Sequence, residues 1–310
     1  MGTPLLWFGF NLFVLIAIAL DLGVFHRQAH KVGIREAALW SVVWMGLAVG
    51  FGYFVWHWHG AQRGLEYFTG YVVEKALSVD NLFVFLLIFR TFQVDERVQH
   101  RVLEWGIVGA LVMRGTMIAT GAALVSRFSW ILQLFGVFLV CAGVRMMVKR
   151  KTALHYESSP ILCFAGKHLR VTKDYRTGNF FVREGGKLFA TPLVLVLLIV
   201  EITDATFAVD SIPAIFGITR DAFIVYSSNV FAILGLRALY FLLADVLGYF
   251  RYLTMGLALV LLFIGVKMVL DPWWHVSVEL SLAVVAGILL AAMLVSVLAG
   301  VRKVSTPPQP

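Results

Sequence analysis

Nine apolar stretches, each about as long as a membrane-crossing helix, constrain the fold of this chain more than any other feature. A transmembrane helix needs roughly 20 predominantly apolar residues. The stretches run 4–25, 37–56, 67–89, 102–125, 128–147, 188–212, 222–245, 252–270 and 276–300. Only 14% of the residues are charged, whereas a soluble domain carries about 25%. The sequence therefore predicts an all-α transmembrane protein, in which residues 1–310 form one polytopic membrane domain, a nine-helix bundle.

The lysine and arginine residues that flank these stretches predict the orientation of the protein. Nineteen of them fall on one side of the predicted topology, and three, Arg63, Arg127 and Arg220, fall on the other. Basic residues accumulate on the cytoplasmic side, so we expect a periplasmic N-terminus and a cytoplasmic C-terminus. The long loop 150–187 is then cytoplasmic, and we expect 304–310 to be a disordered tail. The net charge of +8 reflects this topology and does not indicate a nucleic-acid partner.

Two parts of the chain repeat the same pattern of charged residues. The corresponding pairs are Glu74 with Asp204, Asp80 with Asp210, Arg114 with Arg237 and Arg145 with Lys267. Residues 67–147 (repeat 1, spans 3–5) and 188–270 (repeat 2, spans 6–8) are therefore two copies of one unit. Each copy has three spans, so the two copies must have opposite orientations. Inverted repeats with a substrate site near the membrane midplane are typical of secondary transporters.

Five acidic residues lie inside the predicted spans, where charge is unfavourable. They are Glu74, Asp80, Glu201, Asp204 and Asp210. A charged side chain at the bilayer centre costs at least ~2.5 kcal/mol on insertion scales, so these acids need cationic partners or a wet cavity. One interpretation is structural: Arg114, Arg237 and Lys75 pair with the acids and hold helices together. The other is an ion site, because five acids against three bases leave negative charge for a bound cation.

The spacing of the acids limits how they bind an ion. Residues six apart on a regular helix differ by about 240° and rise about 9 Å, so Glu74 and Asp80 cannot both bind one ion from a continuous helix. Either two sites exist or a helix breaks. Pro213 and the long apolar run 188–219 predict such a break after Asp210. Broken helices at membrane depth line cavities and expose carbonyl groups to ions.

The residue types around the acids predict a hard cation as ligand. Asn81 and Ser211 follow the two aspartates and supply neutral oxygens. Oxygen-only ligands favour Mn²⁺, Ca²⁺ or Mg²⁺ over Zn²⁺ or Cu⁺. Glu201 lies three residues before Asp204, on nearly the same helix face, and is a candidate proton-coupling or supporting acid. The two cysteines have no ligand-like spacing.

Three of these segments resemble the signatures of a known family. Residues 74–85, Glu-Lys-Ala-Leu-Ser-Val-Asp-Asn-Leu-Phe-Val-Phe, and residues 201–216, Glu-Ile-Thr-Asp-Ala-Thr-Phe-Ala-Val-Asp-Ser-Ile-Pro-Ala-Ile-Phe, resemble the two signatures of the TerC family of integral membrane proteins. Residues 228–241, which include Asn229 and Arg237, also fit. The resemblance is closest to the Alx-like branch and implies a relationship to the LysE-type exporters. It implies nine spans, a bacterial inner-membrane location and an association with manganese export, metal supply or tellurium resistance.

The resemblance and the buried acids together predict a secondary transporter, not an enzyme, that exports Mn²⁺ by alternating access and has no resident cofactor. The expected metal ligands are Glu74, Asp80, Asp204 and Asp210, the auxiliary or pathway residues are Asn81, Glu201, Ser211 and Asn229, and the charge partners are Arg114, Arg237 and Lys75. The expected partners are the metal ion and membrane lipid, while proton coupling and oligomeric state stay open. Two alternatives are export of another hard cation such as Ca²⁺, and a membrane scaffold or modulator that assists metal loading, redox or tellurium-stress response without transport.

Overall fold

The computed structural model describes residues 2–23, 33–128, 130–148, 171–172, 175, 178–184, 187–243 and 253–304. The helices are α1 (Pro4–Gly23), α2 (Ile34–His59), α3 (Ala61–Thr91), α4 (Glu96–Arg127), α5 (Ile131–Val148), α6 (Pro192–Phe216), α7 (Ala222–Leu234), α8 (Leu236–Leu243), α9 (Leu253–Leu270) and α10 (Val278–Val304). A helix thus lies at each of the nine predicted positions, with the seventh divided into α7 and α8. Most of the predicted loop 150–187 and the tail beyond Val304 lie outside the described residues.

Seven helical regions in the described chain are long and apolar enough to cross a membrane, namely α2, α4, α5, α6, the α7–α8 unit, α9 and α10. Of the other two predicted spans, α1 is apolar but shorter, and the central turns of α3 carry Glu74, Lys75 and Asp80. That α1 and α3 also cross the membrane stays a prediction. Large apolar side chains such as Phe8, Val112 and Leu298 are exposed on the outside of the bundle, as contact with lipid requires.

The break predicted after Asp210 is wrong, because α6 runs without interruption from Pro192 to Phe216. Pro213 lies in the last turn of this helix. A proline removes one backbone donor and clashes with the carbonyl four residues earlier. In the last turn the helix has few backbone hydrogen bonds left to form, so the proline ends it soon afterwards and does not break it in the middle. The acids of α6 therefore sit on one regular helix, as those of α3 do.

The helix that does break is the predicted seventh span, at Gly235 between α7 and α8. The ammonium of Lys75 donates to the carbonyl oxygen of Ala232 at 3.2 Å, near the carboxyl end of α7, where helix carbonyls lack partners and the dipole favours a cation. A Cβ atom at Gly235 would lie 2.8 Å from Lys75 Nζ. Lys75 therefore stabilises the end of α7, and the missing side chain of Gly235 leaves the space that its ammonium occupies.

The prediction of an all-α chain also needs correction, because a β-hairpin precedes α6. Strands β1 (Phe181–Glu184) and β2 (Lys187–Ala190) pair antiparallel, with Glu184 opposite Lys187. Gly185 and Gly186 separate the two strands in the sequence, and a Gly-Gly dipeptide favours two-residue hairpins. Consequently the predicted sixth span, 188–212, shifts to Pro192–Phe216.

The helices of the two predicted repeats pack against each other reciprocally. The first helix of each repeat, α3 or α6, contacts the second helix of the other, α7 or α4, and the third helices α5 and α9 form the most extensive pair. Glycines allow α5 and α9 to approach closely, since a Cβ atom at Gly136 would lie 2.8 Å from the oxygen of Gly265, and one at Gly265 2.7 Å from the oxygen of Gly136. This arrangement places α3, α4, α6 and α7 around a common centre.

Candidate ion site around Arg114

The guanidinium of Arg114 lies at that centre and contacts three other helices. Its Nε and Nη2 atoms donate to the two carboxylate oxygens of Asp204 on α6, at 3.0 and 2.9 Å. Its Nη1 atom donates to the carboxylate of Glu74 on α3 and, at 3.3 Å, to Oδ1 of Asn229 on α7. Glu74 is fully buried, and Arg114 and Asp204 are 1% and 3% exposed. One cation thus bridges corresponding acids of the two predicted repeats.

The Arg114 site and its surroundings contain buried polar groups whose hydrogen-bonding capacity is not filled. In the ionised state two carboxylates face one guanidinium, which leaves a net negative charge inside the bundle. Among the described residues, Oε2 of Glu74, Nδ2 of Asn229 and the hydroxyl of Ser211 are buried without a hydrogen-bond partner. Such an unsatisfied group costs about 1–3 kcal/mol, and it commonly marks the place of a water molecule or an ion.

The auxiliary residues predicted from the sequence differ in how close they come to this centre. Asn81 lies beside it, because its Nδ2 atom is 3.5 Å from Oδ1 of Asp204, at the limit of a hydrogen bond. Asn229 binds Arg114 directly. Ser211 is buried on α6, seven residues beyond Asp204. Two of the three predicted neutral side chains therefore contact the charged residues.

The second pair of predicted acids is not part of the Arg114 site as described. Asp210 is half-buried on α6, and the positive charge that acts on it belongs to Arg145 of α5. Asp80 lies on α3, six residues after Glu74, and its side chain is outside the described structure. Among the described side chains, no three His, Cys, Asp or Glu residues are grouped so as to hold a metal ion.

The described contacts of the other two predicted charge partners lie outside the Arg114 site. Arg237 of α8 donates to Glu104 of α4 at 2.8 Å, and Lys75 binds the end of α7. The Glu104 partner was missed, although an acid within the apolar stretch 102–125 is the same signal that identified the other acids. A small cavity of about 20 Å³ lies between Asp204 and Arg237, which is enough for one water molecule.

Glu201 lies one helical turn from Asp204 and packs against α4 at a glycine. A Cβ atom at Gly109 would be 2.1 Å from Oε1 of Glu201, so any larger residue at position 109 displaces this carboxylate. Glu201 is half-buried, and the charge of Asp204 acts on it. The structure thus provides a dedicated place for a second acid next to the Arg114 site.

Comparison with known proteins assigns the family. A family model described as Integral membrane protein TerC family matches residues 59–304. The chain belongs to the TerC family. The match includes α3 to α10, and with them the helices that carry every residue of the Arg114 site.

Relatives of this TerC protein are similar over nearly their full length. One is a Myxococcus xanthus protein named Uncharacterized membrane protein STKORF319, 46% identical over 298 residues that cover 96% of this chain and 93% of the relative. Another is Alx of Escherichia coli strain K12, whose name proposes a membrane-bound redox modulator, 46% identical with 96% and 95% coverage. A membrane protein of Rickettsia bellii is 38% identical, with 94% and 97% coverage. No solved structure matches this TerC protein.

Proposed function

We propose that this TerC-family protein is a secondary transporter of the bacterial inner membrane that exports Mn²⁺ by alternating access. The observation that carries the proposal is the bridge from Glu74 through Arg114 to Asp204, which joins acids of two predicted inverted repeats. Charged side chains inside a bilayer are costly and mark ion pathways. A substrate site at a repeat interface is also what the repeat architecture of secondary transporters favours.

In this proposal Arg114 is an internal competitor of the metal ion. A cation that contacted both Glu74 and Asp204 would occupy the position of the guanidinium, so Arg114 must leave at least one carboxylate when the metal binds. A divalent ion neutralises both carboxylates, which one arginine does not. The return of Arg114 then restores the pairing seen here and promotes release of the metal. Asn81 and Asn229 supply neutral oxygens beside the two acids.

The reciprocal packing of the helices supports alternating access. The contacts α3–α7 and α4–α6 are equivalent under the predicted repeat, since each joins the first helix of one copy to the second helix of the other. In the proposed transition these two interfaces exchange conformations. The α5–α9 pair, which joins the third helices, then lies near the axis that relates the two repeats. The backbones of α5 and α9 approach each other closely at Gly136 and Gly265. We propose that the two repeats move relative to each other at the α5–α9 interface. In the proposed orientation the N-terminus is periplasmic and the C-terminus is cytoplasmic.

The second acid pair, Asp80 and Asp210, is proposed as a further set of ligands along the path. Because α3 and α6 are continuous, residues six apart face different directions, and the two-site alternative is therefore favoured over a single four-carboxylate site. Glu201 beside Gly109 is the candidate for proton coupling. Arg237, which pairs with Glu104, lines the small cavity beside Asp204.

Two alternatives have a specific observation in their favour. Oxygen ligands do not distinguish Mn²⁺ from Ca²⁺, so the choice of manganese rests on the family resemblance. A static Glu74–Arg114–Asp204 cluster would also suit a scaffold or modulator that does not transport, and the redox name of the Alx relatives agrees with that role. Cys141 is exposed and free, and Cys163 lies outside the described residues.

Metal binding to the purified protein tests the site. We expect Asp204→Asn to weaken Mn²⁺ binding at least tenfold, because it removes a carboxylate from the centre of the site. The matched control is Glu279→Gln, which neutralises an exposed acid of α10 and should leave binding unchanged. Equal affinity of the wild type and Asp204→Asn would remove the Arg114 site from the proposal. Competition with Ca²⁺ in the same assay ranks the two cations.

A further inference from the structure

A polar pocket of about 330 Å³ lies at the end of the bundle where α3 begins and where α6 and α9 end. It is well separated along these helices from the Arg114 site. The charged residues that line it are Arg63, Glu66, Arg220, Lys267 and Asp271. Under the predicted orientation this pocket faces the periplasm, and the proposed function does not use it.

Each of the two acids in this pocket is already neutralised by an arginine. Glu66 is 5% exposed and accepts hydrogen bonds from Nη1 of Arg63 at 2.9 Å and from Oγ1 of Thr219 at 2.5 Å. Asp271 pairs with Arg220 at 3.3 Å. The adjoining carboxylate of Asp221 accepts from backbone amides at the start of α7. None of these acids is left for another cation.

Lys267 is the charge in this pocket that lacks a direct partner of opposite sign. It is 8% exposed, and its ammonium donates to Oγ of Ser281 at 2.9 Å. Glu66 and Asp271 act on it electrostatically, but neither lies within ion-pair distance in the part of the chain that the structure describes. An ammonium has three donors, so two remain for a ligand. Asp221 borders the pocket and lies 4.0 Å from Nη1 of Arg63, so the charges in and around the pocket balance, and Lys267 is the lining cation that keeps free donors.

We propose that this pocket binds a small oxyanion of the phosphate class, with Lys267 as its principal contact. A tetrahedral oxyanion offers several acceptor oxygens, and lysine and arginine are the side chains that bind it best. The pocket has room for such a group, and the exposed Trp273 and Trp274 after Asp271 place it at the height of lipid headgroups. The phosphate therefore comes either from solution or from the headgroup of a lipid.

The test uses the full chain, purified in detergent and stripped of lipid, and does not depend on transport. Inorganic phosphate is titrated by calorimetry against a chloride background, and anionic phosphatidylglycerol is titrated by native mass spectrometry against an uncharged glycolipid. We expect saturable binding of one of the two probes, which identifies the source. Loss of a charged hydrogen bond predicts that Lys267→Met weakens that binding roughly 10- to 100-fold.

The control is Arg127→Met, which removes one positive charge from an exposed site at the end of α4 and should leave the affinity unchanged. Lys267→Met should fold, because neutralising a buried charge lowers the cost of insertion, and its membrane abundance is measured alongside. Absence of saturable binding of both probes would overturn the proposal. So would an unchanged affinity in Lys267→Met.

Discussion

Replacing Arg114 with glutamine gives the most informative perturbation of the site. The variant removes two hydrogen bonds to Asp204 and one each to Glu74 and Asn229. Two carboxylates that are at most 3% exposed then lose the cation they share. Removing one partner of a buried ion pair destabilises a protein by about 3–5 kcal/mol. At an unfolding entropy of about 2.1 cal/mol/K per residue, each kcal/mol lowers the Tm of a chain of 310 residues by about 1.5 °C, so we expect a drop of roughly 5–8 °C.

The same variant tests whether the guanidinium and the metal compete. Without Arg114 the carboxylates of Glu74 and Asp204 are free for a divalent ion, so Mn²⁺ should raise the Tm of Arg114→Gln more than that of the wild type. A ligand at 100 times its Kd stabilises the folded state by about 2.7 kcal/mol, which recovers most of the loss. The measurement is thermal unfolding of the purified protein, followed by tryptophan fluorescence, with and without Mn²⁺.

Two controls separate this account from a general loss of stability. The triple variant with Glu74→Gln, Arg114→Gln and Asp204→Asn has no charge at these three positions. Its Tm should therefore be closer to that of the wild type than the Tm of Arg114→Gln is, and Mn²⁺ should not raise it. Arg127→Gln, at an exposed position, should resemble the wild type. A Tm for Arg114→Gln within about 1 °C of the wild type, which is less than about 1 kcal/mol on that scale, would show that the two acids do not depend on this cation. An unchanged Tm on adding Mn²⁺ would refute the competition.

Three further predictions concern other parts of the protein. Asp80→Asn and Asp210→Asn should each nearly abolish manganese export. Both variants should keep normal membrane abundance, because neutralising a buried acid lowers the cost of membrane insertion. Cellular manganese content reports export and immunoblots report abundance, and full export by both variants would exclude these two residues as ligands. Gly109→Ala should destabilise the protein by about 1 kcal/mol or less, since the added Cβ atom meets the flexible end of the Glu201 side chain, and Glu201→Ala in the same chain should relieve it, as thermal unfolding will show; an additive double variant would argue against the contact. A C-terminal reporter that is active only in the periplasm should stay inactive, and activity there would reverse the predicted orientation.

Local sequence patterns were sufficient to predict where the helices lie. The corresponding positions of Glu74 and Asp204 in the repeat placed them on helices that meet, and Arg114 was identified as a partner for them. The length of an apolar run did not determine where the chain bends. Pro213 is tolerated in the last turn of α6, whereas Gly235 interrupts α7–α8 where Lys75 approaches. That difference depends on a neighbour in space, which the sequence of one segment does not contain.

The pairing of charges was also only partly predictable. Arg237 occupies the position that corresponds to Arg114, and its described ion pair is with Glu104 of α4, which is not one of the five predicted acids. The repeat pattern predicts equivalent positions, but each partner depends on the rotation of the packed helices. The Gly109–Glu201 contact was likewise missed, because a glycine in an apolar helix has no distinctive signal until the carboxylate opposite it is known. The β-hairpin was not predicted because β1 lies in the predicted loop 150–187, while the apolar residues of β2 extend the apolar run that predicted the span 188–212.

Manganese flux through vesicles that contain this protein alone tests the central claim most directly. The purified chain is reconstituted into liposomes that enclose a Mn²⁺-sensitive dye, and a Mn²⁺ gradient is applied with wild type, Asp204→Asn and protein-free vesicles in parallel. The account predicts saturable flux by the wild type that falls to the protein-free rate in Asp204→Asn. Flux by Asp204→Asn equal to the wild type, or none above the protein-free rate by a wild-type protein that binds Mn²⁺, would contradict it.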